Sequence, residues 1–358
     1  MKKNIKNFSD LGYGHRGIGK LLPPFIIAEM SGNHNQSLDR ALEIVNAAAK
    51  TGVHALKIQT YTADTMTLNL NEKNFSVDDP DSQWVGKSLY ELYDEAHTPW
   101  EWHKAIFDRA NELGIMAFST PFDDTAVDFL EGLNVPFYKI ASQENTDINL
   151  IRRVACTGKP VIISTGMATL DELTEAVNEA RDAGCKELTL LKCTSTYPAS
   201  PENTNIATIP DMRELFNCEV GLSDHTMGIG VSVASVAMGA SVIEKHFTLS
   251  RQDGGIDSDF SMEPDEMTHL VTETERAWRA YGSVSYGATK AEKKSLKYRR
   301  SLYIAHDIQA GEVLTTKNLR SVRPGYGLKT KYLEELLGQK VVKDVCMGTP
   351  MSWDLIKK

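Results

Sequence analysis

The chain has 358 residues, of which 41% are hydrophobic and 24% charged, and its formal net charge is −9. This composition is ordinary for a globular protein and excludes disordered and collagen-like classes. The acidic balance argues against a nucleic-acid partner, which would need a basic face. Five scattered cysteines without a C-x-x-C pair predict neither a disulfide framework nor a cysteine–zinc site. The N-terminus lacks a signal-peptide pattern and no apolar run is long enough to cross a membrane, so we expect a cytoplasmic protein without a membrane partner.

Eight short apolar runs alternate with stretches of helical periodicity. Continuous apolar strands separated by helices are typical of a parallel sheet that is buried on both faces. Eight such units in about 250 residues favour a closed (β/α)8 barrel. Thr98 and Thr169, each followed three residues later by Glu, predict capping boxes at two helix starts. The predicted strands are Phe25–Glu29, His54–Thr60, Ile115–Thr120, Phe137–Ser142, Pro160–Thr165, Glu187–Thr194, Glu219–Ser223 and Ser241–Phe247.

We predict four segments along the chain, namely an N-terminal extension over 1–22, the barrel over 23–284, a linker over 285–300 and a compact C-terminal domain over 301–358. The linker is rich in Lys and Arg, and a charged helix end on the barrel is the alternative interpretation. The last segment is near the lower size limit for independent folding, so we expect it to dock on another surface. The polar stretch 69–87 is predicted to be a loop over the barrel mouth.

Charged and hydroxyl side chains follow nearly every predicted strand. The carboxyl ends of barrel strands meet at one mouth, where barrel enzymes place their active sites. Lysines and hydroxyls bind phosphate groups, so this set predicts a substrate that carries phosphate, carboxylate or both. A lone lysine after a strand is more often an exposed residue at the rim of the barrel. The recurrence of charged and hydroxyl side chains at nearly every strand end is what argues for a site. The candidates at or just after strand ends are Glu29, Lys57, Gln59, Thr120, Lys139, Ser142, Glu144, Ser164, Ser195 and Ser223.

His225 and His246 stand at the ends of the last two predicted strands. Neighbouring strands are less than about 5 Å apart, so both rings could reach one cation. Two imidazoles with open positions suit a catalytic metal of the Mn, Fe, Co or Zn type, and Asp224 and Glu244 could orient the rings. Two buried structural histidines are the alternative. Glu29 is a candidate general base, or it only balances the charge of a lysine.

These residues stand in motifs that resemble those of the sialic acid synthase family. The resemblance implies an α/β fold, a TIM barrel followed by a small antifreeze-like (SAF, β-clip) domain. Two C-terminal motifs, Asp307–Glu312 and Ser321–Gly325, resemble that second domain. The barrel motifs are Ile26–Glu29 with Asn33–Asn35, Leu56–Thr60, Phe118–Phe122, Tyr138–Ser142, Ser164–Met167, Gly221–His225 and Glu244–Phe247.

The resemblance implies a transferase that joins phosphoenolpyruvate to an amino-sugar aldehyde and releases phosphate. It implies that His225 and His246 hold a divalent cation, typically manganese, with magnesium or cobalt as alternatives. It implies that Glu29 acts on the reacting water or intermediate, and that Lys57 and Ser164 meet the phosphoenolpyruvate carboxylate. The phosphate would be held by Thr120, Lys139, Ser142, Ser195 and Ser223, and the sugar would face Gln59, Tyr197 and Asp257. Phe122 and Glu144 complete the predicted substrate-binding set.

The resemblance of the C-terminal domain implies a domain-swapped homodimer. In such a dimer, Arg323 of one subunit would reach the N-acetyl group of the sugar in the barrel of the other subunit. Within the family the pseudaminic acid branch is the most similar, through Leu89–Tyr93, Thr98–His103, Leu191–Pro198 and Arg300–Tyr303. Ser195 stands where the N-acetylneuraminate branch usually has Asn. The implied sugar is 2,4-diacetamido-2,4,6-trideoxy-L-altrose, with N-acetylneuraminate or legionaminate synthesis as the alternative. A metal-dependent barrel hydrolase and a carbohydrate- or ice-binding module are the rival function classes.

Overall fold

The computed structural model describes residues 17–78 and 84–356. Most of the predicted N-terminal extension, residues 1–16, and part of the predicted mouth loop, residues 79–83, lie outside the described residues. The chain divides into two compact units, Met1–Gly282 and Ser283–Lys358. The predicted linker, 285–300, falls in the second unit and carries a 3-10 helix at Glu292–Tyr298. No helix among the described residues is long and apolar enough to cross a membrane.

The first unit is a closed barrel of eight parallel strands in chain order, and β1 pairs with both β2 and β8. This confirms the predicted fold, and every strand lies within two residues of its predicted ends. The strands are β1 (Phe25–Glu29), β2 (Ala55–Thr60), β3 (Met116–Pro121), β4 (Tyr138–Ile140), β5 (Val161–Ser164), β6 (Leu188–Cys193), β7 (Glu219–Ser223) and β8 (Val242–His246).

The helices of the barrel unit follow the strands and cover its outside. The helices are α1 (Leu38–Thr51), α2 (Ala63–Met66), α3 (Leu89–Ala96), α4 (Trp100–Glu112), α5 (Asp124–Leu133), α6 (Ile148–Ala155), α7 (Leu170–Asp182), α8 (Thr208–Phe216), α9 (Gly230–Ala237) and α10 (Pro264–Tyr281). A large apolar core lies between the strands and the helices. Ile26 and Ala28 of β1 contribute to it, together with Ile44 of α1.

The two predicted helix caps have different outcomes. Thr169 caps α7 in a full capping box with Glu172, as predicted. The capping box predicted at Thr98 is wrong, because α4 begins one residue later with Pro99 as its N-cap and no side-chain cap. The hydroxyl of Thr98 is buried and lies 3.2 Å from His34 Nε2. It is therefore engaged with the first βα loop and does not face the amides of α4.

The inside of the barrel changes from apolar to polar along the strands. Side chains two residues apart share one face of a strand, so Phe25, Ile27 and Glu29 of β1 all point inward. Phe25 and Ile27 belong to a separate apolar cluster that includes Phe118 and Phe137, whose ring centroids are 4.1 Å apart. This cluster fills the amino-terminal part of the barrel. The next inward side chains, at the carboxyl ends, are the polar groups of the site.

Gly221 of β7 shows how closely the barrel interior is packed. A Cβ atom at this position would lie 2.2 Å from the backbone oxygen of Val242 on β8 and 2.8 Å from a Leu191 methyl group on β6. Any side chain here would push neighbouring strands apart. The glycine thus allows β7 to present Ser223, its next inward residue, at the mouth.

The second unit is small and rich in turns. Its described residues include an antiparallel pair, β9 (Ser301–Ile304) and β10 (Leu319–Val322), and a short α-helix, α11 (Leu333–Leu336), besides short 3-10 helices. Its own apolar core is built around Leu302, Leu319 and Met351. A separate core in each unit agrees with the division of the chain into two compact bodies.

Candidate active site

A cavity of about 240 Å³ opens at the carboxyl ends of the barrel strands. This is where the sequence predicts the site, and twelve of the predicted residues line it. They are Lys57, Gln59, Phe122, Lys139, Ser142, Glu144, Ser164, Tyr197, Ser223, His225, His246 and Asp257. Glu29 lies one layer behind this wall, in contact with Lys57 and Gln59. Thr120 and Ser195 are not among the described lining residues, although Thr120 Oγ1 lies 3.4 Å from Lys57 Nζ. Arg323 belongs to the second unit.

Two lysines on the floor of the cavity share one carboxylate. Lys139 Nζ lies 3.2 Å and Lys57 Nζ 3.5 Å from the same Glu244 oxygen, Oε1. Ser223 also donates to that oxygen, at 3.2 Å, whereas the other oxygen, Oε2, is buried without a hydrogen bond. Lys57 makes a second ion pair with Glu29 at 3.1 Å. All four ionisable groups are almost fully buried, so the cluster is held by charge pairing in a poorly solvated place.

Burial and neighbouring charges shift the pKa values of these groups in opposite directions. Burial tends to raise the pKa of Glu244, but Lys139 and Lys57 overcome it and hold that pKa at about 2. Burial raises the pKa of Glu29 to about 7, although Lys57 opposes the shift. Burial lowers the pKa of Lys139, whereas the two carboxylates outweigh burial at Lys57 and raise its pKa. Glu244 is therefore held ionised between Lys57 and Lys139, whose amino groups are placed to bind an anionic ligand.

A group of serine hydroxyls completes the anion-binding part of the cavity. Gly166 N donates to Ser142 Oγ at 3.1 Å. A Cβ atom on Gly166 would lie 2.6 Å from that oxygen and 2.2 Å from Ser195 Oγ, so only a glycine lets both serines approach here. Ser164 Oγ is buried and has no hydrogen-bond partner among the residues that the structure describes. A buried unsatisfied hydroxyl in a binding cavity is a group whose partner is expected to be the ligand.

The two predicted metal ligands face each other with ring centroids 5.4 Å apart. The Nδ1 atom of His225 lies 2.9 Å from the backbone oxygen of Thr194. It must donate there, which leaves the lone pair on Nε2. Within the described residues, His246 Nδ1 is buried without a hydrogen bond, and Asp257 Oδ2 is 3.6 Å away. Burial and nearby cations put the pKa of His246 well below its ordinary value. Burial also tends to lower the pKa of His225, but Cys193 and the Thr194 carbonyl outweigh it and raise that pKa. His246 thus offers a neutral nitrogen and His225 offers one after it loses a proton, as metal binding requires, which fits a divalent cation.

The predicted orienting role of Asp224 and Glu244 is wrong. Glu244 is two residues before His246 and points inward to the lysines. Asp224 points away from the cavity and is paired with Lys245 Nζ at 3.1 Å, with both side chains fully buried. The group that orients His225 is a backbone carbonyl. Among residues 17–78 and 84–356, no three His, Cys, Asp or Glu side chains gather in a way that could hold a metal ion.

The remaining predicted residues surround the histidines. The ring of Tyr197 lies 4.4 Å from that of His225, and Gln59 donates to Glu29 Oε1 at 3.2 Å. Asp257 is buried, which raises its pKa. Burial also raises the pKa of Glu144, to about 7. Phe122 packs edge-on against Tyr61, with ring centroids 5.1 Å apart.

Several lining residues escape sequence reasoning. Tyr61, Trp84 and Tyr93 line the cavity, but they lie in loops and short helices where no strand pattern indicates a direction. Gln143 and Cys193 also line it. The inward position of Glu244 could have been found, because it lies two residues before His246 on the same strand.

A buried, cationic cavity at the carboxyl mouth of a (β/α)8 barrel has the position and form of an enzyme active site. The chain is thus a barrel enzyme with a small β-rich second unit. The profile of the NeuB family matches residues 44–286, and that of the SAF domain matches residues 299–357. The chain belongs to the NeuB family, which confirms the predicted relationship to the sialic acid synthases.

Characterised relatives match the chain over nearly its whole length. It is 44% identical over 90% of its length, and over 94% of the relative, to the pseudaminic acid synthase of Campylobacter jejuni. It is 36% identical to the N,N'-diacetyllegionaminic acid synthase of the same species, over 89% of this chain and 96% of the relative. The crystal structure of N-acetylneuraminic acid synthetase from Leptospira borgpetersenii superposes with a TM-score of 0.69 and 31% identity, covering 78% of this chain and 92% of that one.

Proposed function

We propose that the chain condenses phosphoenolpyruvate with 2,4-diacetamido-2,4,6-trideoxy-L-altrose to give pseudaminic acid and phosphate. The observation that carries this proposal is the meeting of Lys57 and Lys139 with the imidazoles of His225 and His246 in one buried cavity. The first pair suits an anion, and the second suits a cation that an aldehyde oxygen could approach. Greater identity to a pseudaminic acid synthase, 44% against 36% for a diacetyllegionaminic acid synthase, supports the choice of sugar.

The anionic substrate would lie on the floor of the cavity. Lys57 and the unsatisfied hydroxyl of Ser164 would meet its carboxylate. Lys139 and Ser142 would hold its phosphate, with further hydroxyls from Thr120, Ser195 and Ser223. Phosphate oxygens would replace part of the negative charge that Glu244 presents to the two lysines. Buried donors of this kind need no reorganisation when charge develops, so they favour the transition state.

The reaction forms one carbon–carbon bond. The enol carbon of phosphoenolpyruvate attacks the aldehyde carbon of the open-chain sugar, the C=O π bond breaks, and the resulting alkoxide oxygen takes a proton from water. Positive character develops at the carbon that carries the phosphate, and water adds there while Glu29 accepts its proton. The tetrahedral intermediate then loses phosphate by cleavage of the carbon–oxygen bond, and the new carbonyl completes the product. Lys57 and Lys139 offset the negative charge throughout.

His225 and His246 would hold the divalent cation, with manganese as the expected ion. When bound, it supplies Lewis-acid polarisation of the sugar aldehyde. Treatment with a chelator should abolish turnover and added Mn²⁺ should restore it. Calorimetric titration with Mn²⁺ alone should show binding that His246→Ala removes. Full activity after chelation, or unchanged Mn²⁺ binding by the variant, would contradict this part of the proposal.

The proposal extends to a domain-swapped homodimer. Arg323 would reach the acetamido group of the sugar from the partner subunit, which would give the second unit a place in the reaction. The guanidinium is a planar donor that suits an acetamido carbonyl. The SAF match at residues 299–357 supports the presence of the domain that would carry Arg323.

Phosphate release tests the proposed reaction against its rivals. With Mn²⁺ present, phosphate should appear only when phosphoenolpyruvate and the diacetamido sugar are both supplied. The organic product should have the mass of the sugar plus pyruvate. Phosphate release from phosphoenolpyruvate alone would favour a hydrolase. Sugar binding without any release would favour a binding module.

A further inference from the structure

One part of the cavity lining is apolar and aromatic. We call it the aromatic wall, and it consists of Tyr61, Met66, Trp84, Leu92, Tyr93 and Phe122. Tyr61 is its centre, because its ring makes edge contacts with Phe122 at 5.1 Å and with Tyr93 at 5.9 Å. The wall comes from the segments after β2 and β3 and from α2 and α3, which lie outside the strand ends that supply the polar groups.

Trp84 connects this wall to the region of the histidines. Its Nε1 donates to the backbone oxygen of Ile256 at 3.0 Å, which fixes the plane of the indole. Its ring lies 6.1 Å from that of Tyr197, and Tyr197 in turn lies 4.4 Å from His225. A sugar whose aldehyde faces His225 would therefore extend its remaining carbons past Tyr197 towards Trp84.

The chemistry of the wall matches one feature of the proposed sugar. A 2,4-diacetamido-2,4,6-trideoxy sugar ends in a methyl group at C6 and carries two further methyl groups on its acetamides. Such groups gain from contact with aromatic faces. A hydroxyl group at C6 would leave water for a surface that is mostly apolar and on which only the phenol groups of Tyr61 and Tyr93 could bond to it, so its burial costs more than that of a methyl group.

We propose, on the basis of the proposed function, that the aromatic wall is the specificity-determining surface for the methyl-bearing end of the sugar, with Trp84 as its main contact. The wall selects a 6-deoxy sugar over its 6-hydroxy counterpart. It acts on the sugar and not on phosphoenolpyruvate, because the anion-binding groups lie on the floor.

The test compares wild type with Trp84→Leu on two sugars, the 6-deoxy diacetamido sugar and its 6-hydroxy analogue. Wild type should prefer the 6-deoxy sugar by about tenfold or more in kcat/KM, as expected for one group in an apolar pocket. Trp84→Leu should raise the KM for that sugar by about tenfold and bring the preference close to one. The KM for phosphoenolpyruvate should change by less than about twofold, since the floor is untouched.

Three further variants complete the design. Trp84→Phe keeps an aromatic ring and should retain most of the preference. Trp278→Leu, a half-buried tryptophan on α10 that packs on the barrel core, is the matched control and should behave as wild type. Tyr93→Leu should lower the preference in the same direction as Trp84→Leu, and it decides the question if Trp84→Leu does not fold.

The outcomes separate this inference from the proposed function. An unchanged preference and sugar KM in both Trp84→Leu and Tyr93→Leu would overturn the inference and leave the proposed function intact. Loss of preference in Trp84→Phe as large as in Trp84→Leu would also overturn it, because the ring would not be the cause. If wild type turns over neither sugar, the proposed function fails and this inference fails with it.

Discussion

At the scale of single residues, the site depends on two lysines buried on the floor of the cavity. Glu244 gives one oxygen to both Lys57 and Lys139, and Lys57 has a second carboxylate, that of Glu29, beside it. A chain with a net charge of −9 attracts an anion only through such a local arrangement. The two lysines are therefore the residues whose loss should affect the phosphate-bearing substrate most directly.

Replacing Lys139 tests this claim. Lys139→Met should lower kcat/KM for phosphoenolpyruvate by about 10²–10³-fold, the usual effect of removing one preorganised donor to developing charge. Glu244 keeps its pairing with Lys57, so the fold should survive. Steady-state kinetics and thermal unfolding check both statements. Lys104→Met, which removes an exposed lysine on α4, is the control, and a loss below threefold in Lys139→Met would refute the assigned role.

The pKa of Glu29 predicts a pH dependence. Burial raises this pKa to about 7, and only the ionised carboxylate can accept a proton from water. The value of kcat/KM should therefore fall as the pH is lowered through about 7 and level off above it. Glu29→Gln should lower turnover by about 10²–10⁴-fold and remove this limb of the profile. A flat profile between pH 6 and 8 in wild type would count against Glu29 as the base.

At the scale of elements, the sequence predicts well where the strands lie and how inward and outward side chains alternate along them. Each strand is a short, mostly apolar run, and the inward residues of β1 change from apolar to polar at the carboxyl end, as Phe25, Ile27 and Glu29 show. These local patterns are enough to place the lysines and histidines at one mouth. The capping box predicted at Thr98 is wrong because a local pattern does not reveal tertiary contacts. The hydroxyl of Thr98 contacts His34 and does not cap α4.

The parts of the site that come from loops could not be predicted. Trp84 lies in a polar segment without periodicity, and its orientation depends on a hydrogen bond to Ile256, 172 positions away along the chain. The orienting partner of His225 is a backbone carbonyl, Thr194 O, which residue identity does not encode. Asp224, next to His225, looks like the natural partner in sequence, but the strand geometry turns it to Lys245.

The buried pair of Asp224 and Lys245 joins the loop after β7 to β8. Lys245 Nζ also donates to the backbone oxygens of Thr226 and Gly228, at 2.6 and 3.0 Å. Lys245→Met should reduce the free energy of unfolding by about 3–5 kcal/mol, because it leaves a buried carboxylate without its cation. Denaturant titration measures this loss.

The exposed pair of Lys104 and Asp108 is the comparison for that variant. Its side chains are 73% and 58% exposed, so Lys104→Met should cost less than about 1 kcal/mol. Equal losses in Lys245→Met and Lys104→Met would show that the buried pair does not hold β7 and β8 together.

At the scale of the whole molecule, the proposed dimer lets the barrel of one subunit use Arg323 from the second unit of the other subunit. This proposal can be tested with mixed dimers. If Arg323 serves the partner's barrel, a mixed dimer of Lys139→Met and Arg323→Ala chains contains one intact site. Random mixing of the two inactive variants should then restore about a quarter of wild-type activity. If Arg323 serves its own barrel, no site in the mixture is intact and activity should stay at the level of the separate variants.

The central claim is that this cavity joins phosphoenolpyruvate to one particular amino sugar. The most direct measurement gives wild-type protein phosphoenolpyruvate, Mn²⁺ and an equal mixture of three sugars, 2,4-diacetamido-2,4,6-trideoxy-L-altrose, the diacetamido-trideoxymannose and N-acetylmannosamine. Chromatography and mass analysis then identify the products. We predict that pseudaminic acid accumulates first and in large excess. A mixture dominated by either of the other two acids, or no condensation product at all, would contradict the account.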